Sequence, residues 1–150
     1  MIMRKITSPD DLGRLKESRL NTRNPNIPCV TICSGTACLA CESEGVASAI
    51  LAAIDKWGLK EKVIIKKTGC RGFCQKGPIV VVYPQGVFYQ KVKDSDAEEI
   101  ITETVMKGEI ITRLLYSDPS TGKKYIFENE IPFYKKQMRI LLGNNALIDA

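Results

Sequence analysis

The chain contains no histidine. That gap removes Ser-His and Cys-His nucleophilic catalysis, mixed cysteine-histidine zinc sites and Rieske-type ligation together, and leaves cysteine as the soft metal ligand. No run of about 18 apolar residues is present, so no helical membrane span is expected. The start, Met1-Ile2-Met3-Arg4-Lys5, is not followed by the apolar stretch of a secretory signal, and the cytoplasm is the expected compartment. Cysteines there stay reduced, which favours metal binding over disulfides. A glycine-rich dinucleotide fingerprint is missing, and Gly122-Lys123-Lys124 lacks the upstream glycine and following hydroxyl of a P-loop. Nor is there a recognised nucleic-acid motif, so no nucleic-acid partner is expected.

What is present is a chain of 150 residues, enough for one ordinary domain that buries roughly two thirds of its unfolded surface without disulfides. The net charge of +5, from 22 Lys plus Arg against 17 Asp plus Glu, is spread along the chain, and most of it reads as solvated surface. Lys66, Lys67, Arg71 and Lys76 flank one cysteine loop, where they are placed to offset anionic charge or steer an acidic partner.

Six cysteines are present, four of them in two short glycine-bearing loops: Cys33-Ser34-Gly35-Thr36-Ala37-Cys38 and Cys70-Arg71-Gly72-Phe73-Cys74. Each loop follows an apolar β-type run, Val30-Thr31-Ile32 and Val63-Ile64-Ile65, so both begin where a strand releases the chain. Gly35, Gly69 and Gly72 allow tight turns with backbone N–H groups close to a bound inorganic group. Four thiolates suffice for a two-iron, two-sulfide cluster, with two cysteines on each iron. A closed four-cysteine zinc site is the alternative from the same ligands, although structural zinc typically uses shorter C-x2-C knuckles. A further alternative is a thiol-disulfide oxidoreductase, since Cys38-Leu39-Ala40-Cys41 is a CxxC between a strand and a helix. Under that reading Cys33, Cys70 and Cys74 have no role. Cys41 is expected to be a bystander near the cluster, or a substitute ligand if Cys38 is lost, and Cys29 a packed strand residue.

Periodicity and turn chemistry place the remaining elements. Ser8-Pro9-Asp10-Asp11 predicts a capped, polar helix to about residue 21, with Leu12, Leu15 and Leu20 as its only apolar side, followed by a linker over 21–28 around Pro25 and Pro28. A strand over 28–33 leads through the first cysteine loop to a helix over 42–57. Its Val46, Ala49, Ile50, Ala53, Ile54 and Trp57 recur at helical spacing, with Trp57 in the core and Gly58 as the stop. A parallel strand over 62–67 then delivers the second loop to the same edge. Strands over 79–83 and 87–92 form a hairpin across Pro84-Gln85-Gly86, with Tyr83, Phe88 and Tyr89 as sheet packing. Ser95 caps a final helix that ends at Gly108 and turns Ala97, Ile100, Ile101 and Val105 to the sheet. The fold class is α/β, a mixed four-stranded sheet flanked by helices in the order β-α-β-β-β-α. After Tyr116 come a turn at Asp118-Pro119-Ser120-Thr121-Gly122, a polar stretch, and a short basic helix over 135–142, in a tail too small to fold alone.

The C-x4-C and C-x3-C pair, with the strand Gly77-Pro78-Ile79-Val80-Val81-Val82-Tyr83-Pro84, resembles the thioredoxin-like [2Fe-2S] ferredoxins. More narrowly, it resembles the amino-terminal ferredoxin domain of flavin- and NADH-binding subunits of bacterial hydrogenases and complex I relatives. The resemblance covers about residues 27–116, and Pro132-Phe133-Tyr134-Lys135-Lys136-Gln137-Met138-Arg139-Ile140 is similar to the stretch leading into the flavin domain of those subunits. It implies a thioredoxin-like fold and a [2Fe-2S] cluster on Cys33, Cys38, Cys70 and Cys74, with Phe73 and Pro78 restricting solvent. It also implies single-electron transfer with no catalytic centre in this chain. FMN and NAD(H) are expected on a partner or a missing domain. Partners would be a flavin/NADH-binding subunit and other iron-sulfur subunits, with homo-oligomerisation open. The expected organisation is an N-terminal helix and linker (1–26), the ferredoxin domain (27–116) and an extension toward a flavin domain or docking segment (117–150).

Overall fold

A computed structural model of the chain describes residues 6–22, 27–141 and 143–145. Most of the expected linker, including Pro25, lies outside the described residues, as do Leu142 and the side chain of Leu20. Helix α1 (Pro9–Thr22) opens as its sequence predicts. Ser8 Oγ accepts the Asp11 N–H at 3.1 Å while the Asp11 carboxylate accepts the Ser8 N–H at 3.2 Å, a reciprocal cap that satisfies two otherwise orphaned donors. Leu12 and Leu15 stay exposed, so the helix buries no apolar stripe through them.

The sheet runs β2-β1-β3-β4, with β1 (Cys29–Cys33), β2 (Ile64–Thr68), β3 (Val80–Tyr83) and β4 (Val87–Tyr89). β1 and β2 are parallel, joined by helices α2 (Thr36–Ala40) and α3 (Ser43–Lys56), whereas β3 pairs antiparallel with β1 and β4. This is the expected mixed, four-stranded order. The hairpin turns at Gly86, whose φ of 76° suits glycine.

Successive strand residues point to opposite faces, and this divides the core. Val30, Ile32, Val80, Val82, Val87 and Tyr89 meet Val46, Ala47, Ile50 and Ile54 of α3 and Ile100 and Ile101 of the last long helix. Ile79, Val81 and Phe88 face the other way, where they are covered by Tyr116, Ile131 and Tyr134. The C-terminal segment supplies that cover through the hairpin of β5 (Tyr116–Ser117) and β6 (Lys124–Tyr125) and the short helix α5 (Pro132–Lys135). Burying each of these large side chains contributes about 1.5–3 kcal/mol.

Five expectations need correction. The first cysteine loop is itself helical at α2. Trp57 is 44% exposed, because α3 ends at Lys56 and the chain turns through Gly58 (φ 64°), so Leu59 packs against the core instead. The last long helix, α4, starts as Ala97–Glu99 and widens into a π-helix over Ile100–Lys107, which buries Thr104 fully and Val105 only in part. Thr104 Oγ1 lies 2.6 Å from the buried Tyr89 hydroxyl. Ahead of α4 the capping group is Asp96, whose Oδ2 accepts the Lys93 N–H at 2.8 Å, and not Ser95. In the tail, Pro132 starts the helix rather than Lys135, as suits a proline at a first helical position, and Met138, Ile140 and Leu141 are exposed beyond its end.

Gly45 sits inside α3 with nothing within 4 Å of where a Cβ would stand. Gly45→Ala is therefore expected to stabilise the fold by about 0.4–1 kcal/mol, chiefly by restricting the unfolded chain, and a raised midpoint of denaturant unfolding checks this.

Candidate metal centre

The parallel register pairs Cys33 with Thr68, so both strands release the chain at the same level of the sheet edge. Two backbone bonds lock the exits: the Ser34 N–H donates to the Thr68 carbonyl at 2.8 Å and the Cys33 N–H to the Ile79 carbonyl at 3.0 Å. Cys33 closes β1 and Cys38 lies inside α2, both buried. Cys70 follows β2 by two residues and is half-buried, and Cys74 opens the 3-10 turn Cys74–Lys76 and is exposed.

The loops touch through glycines. A Cβ on Gly35 would stand 2.9 Å from Cys70 Cβ and 3.2 Å from its Sγ, and one on Gly77 would stand 2.7 Å from Cys38 Sγ. Gly72 is required for another reason, its φ of 85°, and its N–H donates to Cys70 Sγ at 3.3 Å. Gly35 was expected in this role; Gly77, which precedes the strand without any turn signal, was not. Because Gly35 has an ordinary φ of −64°, only space excludes a side chain there. Gly35→Ala is expected to push the loops apart at a cost of about 1–3 kcal/mol, read as a lower unfolding midpoint together with reduced iron content.

The thiols form two neighbouring pairs. Cys38 beside Cys33, aided by the Gly35 and Arg71 backbone and by the Arg71 charge, holds the Cys33 thiol down at about 5 against its burial, while the same contact and burial push Cys38 up. The pair thus loses its first proton readily and its second reluctantly. Cys74 is raised, first by desolvation and then by the nearby Cys70 and Cys33 sulfurs. Cys33 and Cys38 both interact electrostatically with Cys74, so the two pairs face one another. Cys41 is exposed just past the C-terminal end of α2, and Cys29 is half-buried at the start of β1.

Around the second loop the tail supplies groups that no local signal announced. Phe73 stacks on Phe133 with centroids 4.1 Å apart and meets Tyr134 edge-on at 5.7 Å. Phe73 and Pro78 are buried on either side of the exposed Cys74 in the chain. Arg71, one of the cations expected to flank this loop, is fully buried: its Nη2 donates to Thr31 Oγ1 at 2.8 Å and its Nη1 to Glu128 Oε2 at 2.6 Å. Lys67 pairs with Glu44, and Lys76 lies over the Tyr116 ring at 5.4 Å.

This donor set fits a two-iron, two-sulfide group. Two thiol pairs match the two cysteines that each iron of such a group takes. Glycines replace side chains at the closest approaches, and backbone N–H groups already aim at sulfur.

Comparison with known proteins agrees. A family model described as thioredoxin-like [2Fe-2S] ferredoxin matches residues 19–105. The 2Fe-2S ferredoxin of Clostridium pasteurianum is 39% identical over 77 residues, covering 51% of this chain and 76% of that protein. A 2Fe-2S ferredoxin of Aquifex aeolicus (strain VF5) is 46% identical over 54 residues, 36% of this chain and 49% of that protein. The crystal structure of the wild-type thioredoxin-like [2Fe-2S] ferredoxin from Aquifex aeolicus superposes with a TM-score of 0.55 at 33% identity, covering 61% of this chain and 98% of that one. With the family match spanning more than half its length, the chain belongs to the thioredoxin-like [2Fe-2S] ferredoxins, and its work is electron transfer through a [2Fe-2S] cluster.

Proposed function

We propose that Cys33 and Cys38 hold one iron and Cys70 and Cys74 the other, and that the chain relays single electrons between an NAD(P)H-oxidising flavin centre and the iron-sulfur chain of a hydrogenase or complex I-like oxidoreductase. The observation that carries the ligand assignment is the Cys33–Thr68 register, which brings both cysteine loops to one edge with their thiols paired two by two. The cluster supplies a one-electron couple. The protein's part is to orient the four sulfurs, donate backbone N–H bonds to them, and keep water from one side with Phe73, Phe133 and Pro78. Residues 27–116 would form the ferredoxin unit, and 117–150 the stretch that leads toward a flavin domain or docks on its subunit, a reading supported by the similarity of 132–140 to such lead-in segments.

Anaerobically purified protein is expected to be red-brown, with about two irons and two sulfides per chain and an EPR signal on dithionite reduction. Colourless protein containing zinc would overturn the assignment. NADH alone is expected to leave the protein oxidised, with reduction following once a flavin-bearing NADH-oxidising subunit is added; rapid reduction by NADH alone would count against the relay.

A further inference from the structure

A chain of three charges crosses from the second cysteine loop into the C-terminal segment. Arg71 sits between Cys70 and Gly72 with no solvent exposure, bonded to Thr31 and Glu128. The other Glu128 oxygen, Oε1, accepts Arg139 Nη1 at 3.2 Å. Arg139 Nη2 in turn donates to the Arg71 carbonyl at 2.9 Å, and its guanidinium lies over the Tyr134 ring at 5.1 Å. Arg71 Nε is buried with no protein partner. The side chains of Glu128 and Arg139 are only 20% and 19% exposed, so solvent screens this group poorly. Two guanidiniums against one carboxylate leave a net positive charge beside the cysteine loops, within electrostatic reach of Cys33. Glu128 and Arg139 both lie beyond the residues that the family model matches.

A cluster gains one negative charge on reduction, so a neighbouring cation favours the reduced form and a neighbouring anion opposes it. We propose that Glu128 and Arg139 are positioning residues that act through Arg71 to set the reduction potential of the site, so that the C-terminal segment is part of the electron carrier. This rests on the cluster being held by Cys33, Cys38, Cys70 and Cys74. Removing the Glu128 carboxylate leaves both guanidiniums unopposed and raises the potential. Removing the Arg139 charge strengthens the hold of Glu128 on Arg71 and lowers it.

The test is a redox titration of Glu128→Gln, Arg139→Gln and Arg139→Lys, each with iron and sulfide determination. The expected result is wild-type cluster content in all three, with Glu128→Gln shifted up and Arg139→Gln shifted down. Each shift should be about tenfold in the reduced-to-oxidised ratio at fixed potential, about 59 mV for a one-electron couple. Arg139→Lys, which keeps the charge, should stay close to wild type. Opposite signs are the signature, because mere loosening of the loop admits water in both variants and moves both the same way. Unchanged potentials, or shifts of one sign, overturn the proposal. If Glu128→Gln does not load, Arg139→Gln decides: a lower potential supports the assignment and a wild-type value overturns it. Loss of the cluster from both Gln variants also overturns it, since the network would then serve assembly. A wild-type chain without iron would sink the ligand assignment instead.

Discussion

Cys70→Ala is expected to abolish the cluster, taking iron and acid-labile sulfide to background and removing the visible absorption, whereas Cys41→Ala retains wild-type content of both. The asymmetry follows from position. Cys70 sits where the two loops touch, against Gly35, with its sulfur accepting the Gly72 N–H at 3.3 Å. Its loss leaves one iron with a single protein ligand on that loop. The two remaining cysteines cannot serve. Cys29 is four residues before Cys33 on an extended strand, about 13 Å away at about 3.3 Å per residue. Cys41 is exposed past the end of α2, whereas Cys38 within it is buried. Two irons per chain in Cys70→Ala, or colourless Cys41→Ala protein, would show that the ligands are chosen wrongly. Loss of insulin-reducing activity in Cys41→Ala alone would favour a dithiol enzyme.

Ile131→Ala is expected to destabilise the protein by about 2–5 kcal/mol, the usual range for emptying a fully buried isoleucine site. Ile131 has no solvent exposure and packs with Phe88, Val81, Tyr116 and Tyr134 on the sheet face opposite α3. Its backbone also starts α5, with the Tyr134 and Lys135 N–H groups donating to its carbonyl at 2.9 and 3.0 Å. The truncation therefore leaves a cavity between the tail and the sheet while keeping those backbone bonds. Ile140, nine residues on and 79% exposed, is the matched control, and its replacement by alanine is expected to change stability by less than about 0.5 kcal/mol. Guanidinium unfolding followed by far-UV circular dichroism under anaerobic conditions measures both. Equal midpoints for the two variants would mean that the C-terminal segment does not cover the sheet in solution.

Much of the centre was legible because its signals are local. A β-branched run followed by cysteine and glycine marks a strand that ends in a ligand loop, and the helical spacing of Val46, Ile50, Ala53 and Ile54 supplies the crossover that makes β1 and β2 parallel. Trp57 misled for a related reason: it keeps the helical phase of that face, yet α3 stops one residue before it. The partnership of Thr104 with Tyr89 likewise joins two different elements, which helical spacing alone does not show.

By itself the sequence determined the order of strands and helices, the two cysteine loops and the absence of competing ligands, since each depends on residue type and short-range spacing. Only the tertiary structure decided that Arg71 is buried rather than solvated, that Glu128 and Arg139 meet it from 57 and 68 residues away, and that the tail covers one face of the sheet. A charge run reads the same in sequence whether water or a carboxylate surrounds it; burial and pairing across such separations exist only once the chain has closed on itself.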